Sequence, residues 1–204
     1  MLLASWENAQ HLKTTTSISQ TSKQNVSWVK PSPGRYKCNV DAFFCDTSNR
    51  VGIGMCIRDA EGAFVLARIE WFSPVVDVDI GEAIGLLKAM EWARDLHLLN
   101  IDFEVDSKVV VDNIYGKQID VSDFSVIINN CVHLLCTDLI NSYVSFIRRQ
   151  TNKVAHSLAK AALLEASFRI HSNIPSCIEF SIIVSMTWQH DMTLGELKLN
   201  AHQL

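Results

Sequence analysis

Residues 36–44 alternate along the chain. Tyr36, Cys38, Val40 and Ala42 fall on one side of an extended segment, and Lys37, Asn39 and Asp41 on the other. A period of two with one apolar side predicts a strand with one buried face. Residues 52–59 and 63–72 predict two further strands, and Asp59-Ala60-Glu61-Gly62 between them reads as a tight turn. The first three strands therefore form a meander. The period then changes. Apolar residues at 80, 83, 84, 86, 87, 90, 93 and 96 predict a helix over 80–97 with a broad apolar face. Ile101, Phe103 and Val105 alternate with Asp102, Glu104 and Asp106, which predicts a fourth strand with its carboxylates facing outward. Ser107 suits the N-cap of a helix over 108–115, and Gly116 its end. A helix over 123–136, a strand over 143–149 and an Ala/Leu-rich helix over 152–166 complete the pattern.

Three strands followed by helix–strand–helix–helix–strand–helix predict an α/β fold: a mixed five-stranded sheet with helices on its faces. Residues 28–166 form this domain. Residues 1–27 divide into a short helix and a linker rich in Thr, Ser and Gln. Residues 167–204 make a tail with Pro175, an apolar patch and no clear periodicity, to which no element is assigned.

Composition narrows the function classes. The chain has 204 residues, 48% of them hydrophobic and 20% charged, which suits one soluble domain with tails. Its formal charge of −4 argues against tight, nonspecific grip on nucleic acid, because that affinity grows with the number of basic contacts. Binding has to rest on a local patch or on metal ions. The six cysteines, at 38, 45, 56, 131, 136 and 177, include no CxxC pair and read as free thiols of a reducing compartment. The beginning of the chain lacks the basic and apolar regions of a secretory signal, and the apolar run 178–188 is too short to span a bilayer. An intracellular, soluble protein, monomeric and not membrane-bound, is expected.

Four segments carry candidate chemistry: Lys37-Cys38-Asn39-Val40-Asp41-Ala42, Gly81-Glu82-Ala83-Ile84-Gly85-Leu86-Leu87, Phe103-Glu104-Val105-Asp106-Ser107, and Asn152-Lys153-Val154-Ala155-His156-Ser157-Leu158-Ala159. Taken singly, each has an ordinary reading. Asp41 is a strand residue facing solvent, Glu82 a first-turn acid favoured by the helix dipole by about 0.3–1 kcal/mol, and His156 a residue packed at the domain edge. Asp102 lies about 13 Å from Asp106 at strand spacing, too far to share a metal centre. Asp102 and Glu104 are therefore read as solvated charges.

In that order and spacing the four segments resemble the ribonuclease H fold. More closely, they resemble the ribonuclease-H-like domain at the end of plant retrotransposon-derived reverse transcriptase proteins. The resemblance covers about residues 28–166. It implies an antiparallel three-strand meander plus two parallel strands, with helices on both faces. It also implies a metal-dependent hydrolase that cleaves the RNA strand of RNA–DNA hybrids, leaving a 5′-phosphate and a 3′-hydroxyl. Asp41, Glu82, Asp106 and His156 would be the catalytic and metal-holding residues for two Mg²⁺ or Mn²⁺ ions, with Asp41 bridging both. Ser107, Arg148, Arg149 and Asn152 would contact nucleic acid, and a separate reverse transcriptase domain is an implied partner.

The chain departs from the family at several points. Ala42 stands where Gly is usual, and His156 where many active members have Asp. Residues 147–152 replace a Gly-His-x-Gly loop. Val78 and Asp79 stand where an Asn pair often precedes the Glu. Lys108 and Lys117 are the only Lys or Arg in 107–142, so the basic handle is missing. These losses keep a second reading open, a catalytically weak or inactive retrotransposon-derived relic or nucleic-acid-binding module.

Overall fold

Strand β1 (Tyr36–Cys45) lies inside the sheet and pairs antiparallel with β2 (Arg50–Arg58). Here the computed structural model describes residues 27–116 and 122–185. The expected N-terminal helix and nearly all of its linker, Lys117, and the tail beyond 185 lie outside the described residues. β2 continues antiparallel into β3 (Phe64–Phe72). Their turn follows the sequence reading: Gly62 takes φ +85°, and Asp59 Oδ1 accepts from the amides of Glu61 and Ala63. That closes the loop as an Asx-turn.

Helix α1 (Val78–Asp95) leads to β4 (Ile101–Val105), which is parallel to β1. Ser107 caps α2 (Lys108–Tyr115) by accepting from the Val110 amide, and Ser122 caps α3 (Asp123–Thr137) through Ser125. β5 (Tyr143–Phe146) pairs parallel with β4, and α4 (Lys153–Glu165) follows a 3₁₀ turn at Arg149–Thr151. The strand expected over 143–149 therefore stops three residues early.

Among the described residues six strands form the sheet, in the order β5-β4-β1-β2-β3-β6, where five were expected. The addition is β6 (Arg169–His171), antiparallel to β3 and drawn from the segment read as a featureless tail. Three residues are too few to show a period, and the hydrogen bonds that define them come from the distant β3 edge.

Helices cover both faces. Val40, Met55, Phe103 and Val105 pack with Leu86 and Met90 of α1, Val110 of α2 and Ile128 of α3. On the other face Cys56, Ala67 and Ile69 pack with Val154, Leu158 and Ala162 of α4, joined by Ile178 and Ile182.

The polar sides of β1 and β4 are not in water, which corrects the one-sided reading of both strands. Lys37, Asn39 and Asp41 are buried, as are Asp102 at 1% exposure and Glu104 at 6%. The charges of Lys37, Asp102 and Glu104 are paired. Glu104 accepts from Trp28 Nε1 and Asn39 Nδ2, both at 2.8 Å, and pairs with Lys37 Nζ. Asp102 accepts from Arg35 Nε at 3.0 Å. Alternation marks these positions as polar; only the overlying groups decide that they are dry.

Candidate metal centre

Three elements bring carboxylates together at one end of the sheet. The parallel register of β1 with β4 runs to Asn39↔Glu104. Two residues further on it sets Asp41 beside Asp106, the first residue past β4. Ligand sites in parallel sheets gather at these C-terminal strand ends. Glu82 arrives from α1. The helix begins at Val78, so Glu82 is its fifth residue, and Asp79 takes the first-turn dipole position instead. A side chain at Gly81 would run into the Phe44 ring, so glycine lets α1 approach β1 closely next to Glu82.

Asp41, Glu82 and Asp106 each place one carboxylate oxygen within 4.8 Å of the others. Asp41 and Glu82 are buried and Asp106 half-buried. Among the described residues, Asp41 Oδ1 and Glu82 Oε2 have no hydrogen-bond partner. Burial first, then the neighbouring carboxylates Glu82 and Asp106, push Asp41 up to about 9. Burial, then Asp106, push Glu82 up to about 8. Crowded carboxylates with orphaned oxygens are a poor arrangement for a bare protein. They are a good one around hard divalent cations, which take oxygen ligands and neutralise the repulsion. The donor set therefore fits the metal that the sequence implies.

His156 stands beside this set rather than within it. Its Nδ1 lies 2.9 Å from Asp41 Oδ2, and its ring meets Phe43 edge-on. Burial, and then the Arg149 charge, lower its pKa. The imidazole is neutral at pH 7, so the contact is a hydrogen bond and not an ion pair. The tautomer of the ring sets which of the two atoms donates.

The sequence signal that places His156 is Gly52-x-Gly54, at the start of the strand predicted over 52–59. A Cβ at Gly54 would overlap the Ala155 carbonyl and the Ala159 amide, and one at Gly52 the Ala159 carbonyl. The two glycines seat α4 directly on β2. Gly54 also pairs with Asp41 across the strands, so the same position brings His156 to Asp41.

The remaining candidates divide. Asn152 is wholly buried, donating to the Val40 carbonyl at 2.8 Å and to Asp106 Oδ1 at 3.3 Å. It ties α4 to β1 and orients a carboxylate of the cluster, and it has no surface to offer nucleic acid. Ser107 is half-buried, with its hydroxyl engaged at the α2 cap. Arg148 and Arg149 are exposed. Arg149 Nη2 comes within 3.5 Å of His156 Nδ1, and its charge opposes the upward shifts of Asp41 and Glu82. Arg149 therefore belongs to the rim of the centre.

A family model described as reverse transcriptase-like matches residues 39–162. Among solved structures, the ribonuclease H1 of the halophilic archaeon Halobacterium salinarum NRC-1 is 22% identical with a TM-score of 0.58, over 65% of this chain and 99% of that one. LC11-RNase H1, isolated from compost and solved with an RNA/DNA hybrid, is 18% identical with a TM-score of 0.56 over 65% and 99%. The protease–reverse transcriptase of prototype foamy virus is 13% identical with a TM-score of 0.52, over 70% of this chain and 22% of that one. No curated protein matches. Among the described residues, no helix is long and apolar enough to cross a membrane.

Proposed function

The chain belongs to the reverse transcriptase-like family and carries a ribonuclease-H-like domain, and from that we propose that it hydrolyses the RNA strand of RNA–DNA hybrids at the Asp41–Glu82–Asp106 centre. The observation that carries the reading is the convergence of three carboxylates, two with an unpartnered buried oxygen, at the ends of β1 and β4. Such a set has no structural use without cations. Asp41, Glu82 and Asp106 would hold two Mg²⁺ or Mn²⁺ ions, which supply an activated water and charge neutralisation at the phosphate.

The protein's own groups do the rest. Asn152 keeps Asp106 turned toward Asp41. His156, neutral and hydrogen-bonded to Asp41, holds a proton near the reacting phosphate and suits transfer near neutral pH. Arg149 at the rim offers a charged contact to the backbone, with Arg148 beside it. RNA is told from DNA through its 2′-hydroxyls in the wide minor groove. A reverse transcriptase domain is the natural partner for a core whose own grip is slight.

One observation favours a second reading, a binding module without turnover: an imidazole, not a fourth carboxylate, faces Asp41. Cleavage of a labelled hybrid in Mg²⁺ and in Mn²⁺ separates the two. The hydrolase reading predicts cleavage by the wild type and at least about a hundredfold loss in Asp41→Asn, on the scale of losing one group that stabilises the transition state. Folded wild-type protein inactive in both metals would leave the binding module.

A further inference from the structure

A cavity of about 350 Å³ opens between the start of α4, Trp28 and residues 180–185. Its size is that of a small-ligand site. Three observations converge on its chemistry. Arg58 lines it, is 1% exposed, and has a buried Nε with no hydrogen-bond partner among the described residues. The rest of that guanidinium is held firmly, stacked over the Trp28 ring at 3.1 Å, donating to Asn39 Oδ1 at 2.6 Å and to Ser185 Oγ at 3.2 Å.

The buried network behind it is unbalanced in charge. Lys37 and Arg58 are both cationic, and the one carboxylate joined to them, Glu104, is already paired with Lys37. Burial lowers Arg58 only to about 10, so it remains protonated at neutral pH. Among the described residues no carboxylate lines the cavity, whereas Lys153 does. Among the described residues Arg58 shares its one carboxylate, Glu104, with Lys37, and an anion in the cavity would supply the missing charge.

The start of α4 adds to the same field. Asn152 gives its helix no side-chain cap because its amide is turned to Val40 and Asp106. Lys153 and Val154, the first residues of α4, line the cavity. Helix N-termini with free amides attract anions.

We propose that this cavity is a phosphate-binding site, built from Arg58, Lys153 and the N-terminus of α4 and distinct from the carboxylate centre. It adjoins a second basin of about 380 Å³ that contains His156 and Arg149, and Gln150, Lys153 and Ser181 line both. Two sources offer the same chemistry. One is a terminal phosphate of a strand laid past His156, and the other is a free nucleoside monophosphate.

The test is binding to the full chain in EDTA, where neither metal loading nor cleavage contributes. A failure of the hydrolase reading would therefore leave this result standing, and the reverse. The probes are inorganic phosphate, adenosine 5′-monophosphate, and an RNA–DNA hybrid with and without a 5′-phosphate, followed by calorimetry and melting temperature. Arg58 is too deeply networked to be changed first, so the variants are Lys153→Glu and Ser181→Asp at the rim. Saturable phosphate binding that raises the melting temperature is expected. Each variant should weaken it at least tenfold, and Asp41→Asn should leave it intact. A tenfold preference for the 5′-phosphorylated hybrid, lost in Lys153→Glu, assigns the strand as source. Tight monophosphate binding without that preference assigns the free nucleotide. No saturable binding by any probe, or binding untouched by both rim variants, would overturn the proposal.

Discussion

Asp41 is held almost out of water, between two other carboxylates and an imidazole that is itself neutral. A consequence can be measured without any substrate. An acid whose native pKa lies above its unfolded value binds more protons when folded, so stability falls as pH rises between the two values. For Asp41 and Glu82 that interval runs from the ordinary carboxylate range, about 4, up to about 9 and about 8. His156 acts with the opposite slope below its ordinary value, because its native pKa is lowered. The window is therefore pH 7 to 9, read in a Cys45→Ser background, because hydrogen bonds from Ser48 and Thr47 lower the Cys45 thiol to about 7 and give it the opposite slope there. In EDTA the melting temperature should fall across it. In saturating Mg²⁺ the fall should be abolished or reversed, because the ionised cluster is the form that binds metal. A metal-free melting temperature that stays flat from pH 7 to 9 would show that the carboxylates do not repel one another as the geometry requires. Asp41 and Glu82 were legible in the sequence as candidates. Their burial was not, since a polar residue on an alternating strand reads as solvated unless something covers it.

At the scale of elements, glycines decide how helices meet the sheet, and they do not all act alike. Gly54 sits under α4 with no room for a methyl group. Gly54→Ala should cost about 1–3 kcal/mol or more, the range for overpacking a tight contact, and should also draw His156 away from Asp41. Gly85 lies inside α1, where a Cβ would meet Val40 at 3.5 Å and Ile53 at 3.6 Å, ordinary contact distances. Gly85→Ala should therefore stabilise by about 0.5–1 kcal/mol through helix propensity. Urea denaturation of the two variants gives the comparison, and equal destabilisation would refute this account of how α4 is seated. Local signals defined some elements closely. Ser107 and Gly116 bound α2 as expected, because a cap depends on its own few residues. β5 was overextended, because nothing in residues 147–149 announces the 3₁₀ turn that ends it.

At the scale of the whole molecule, residues 169–182, beyond α4, pack onto the sheet and α4. β6 extends the sheet beyond β3, and Ile178 and Ile182 are fully buried against the α4 face. Ile182→Ala should cost about 2–5 kcal/mol, as for other buried large-to-small changes. It should leave Mg²⁺ affinity unchanged, since Ile182 packs in the cluster under α4 and not among the carboxylates. Denaturation with a parallel Mg²⁺ titration tests both halves. A loss under about 0.5 kcal/mol, the level of ordinary surface changes, would return residues 178–182 to the status of a loose tail.

The sequence by itself determined the order of elements, the reverse-transcriptase-like resemblance and the residue types at Asp41, Glu82 and Asp106. Each of these is written in local periodicity, caps and short motifs that need no distant partner. Only the tertiary structure decided what those residues experience. It brought three carboxylates from β1, α1 and the end of β4 within 4.8 Å, and it set His156 behind Asp41 rather than among them. It turned Asn152 inward and buried Asp102 and Glu104 in paired networks. It also added the sixth strand. The physical reason is common to all of these. Desolvation, charge crowding and edge pairing are properties of groups far apart in the chain, and no window of sequence contains both partners.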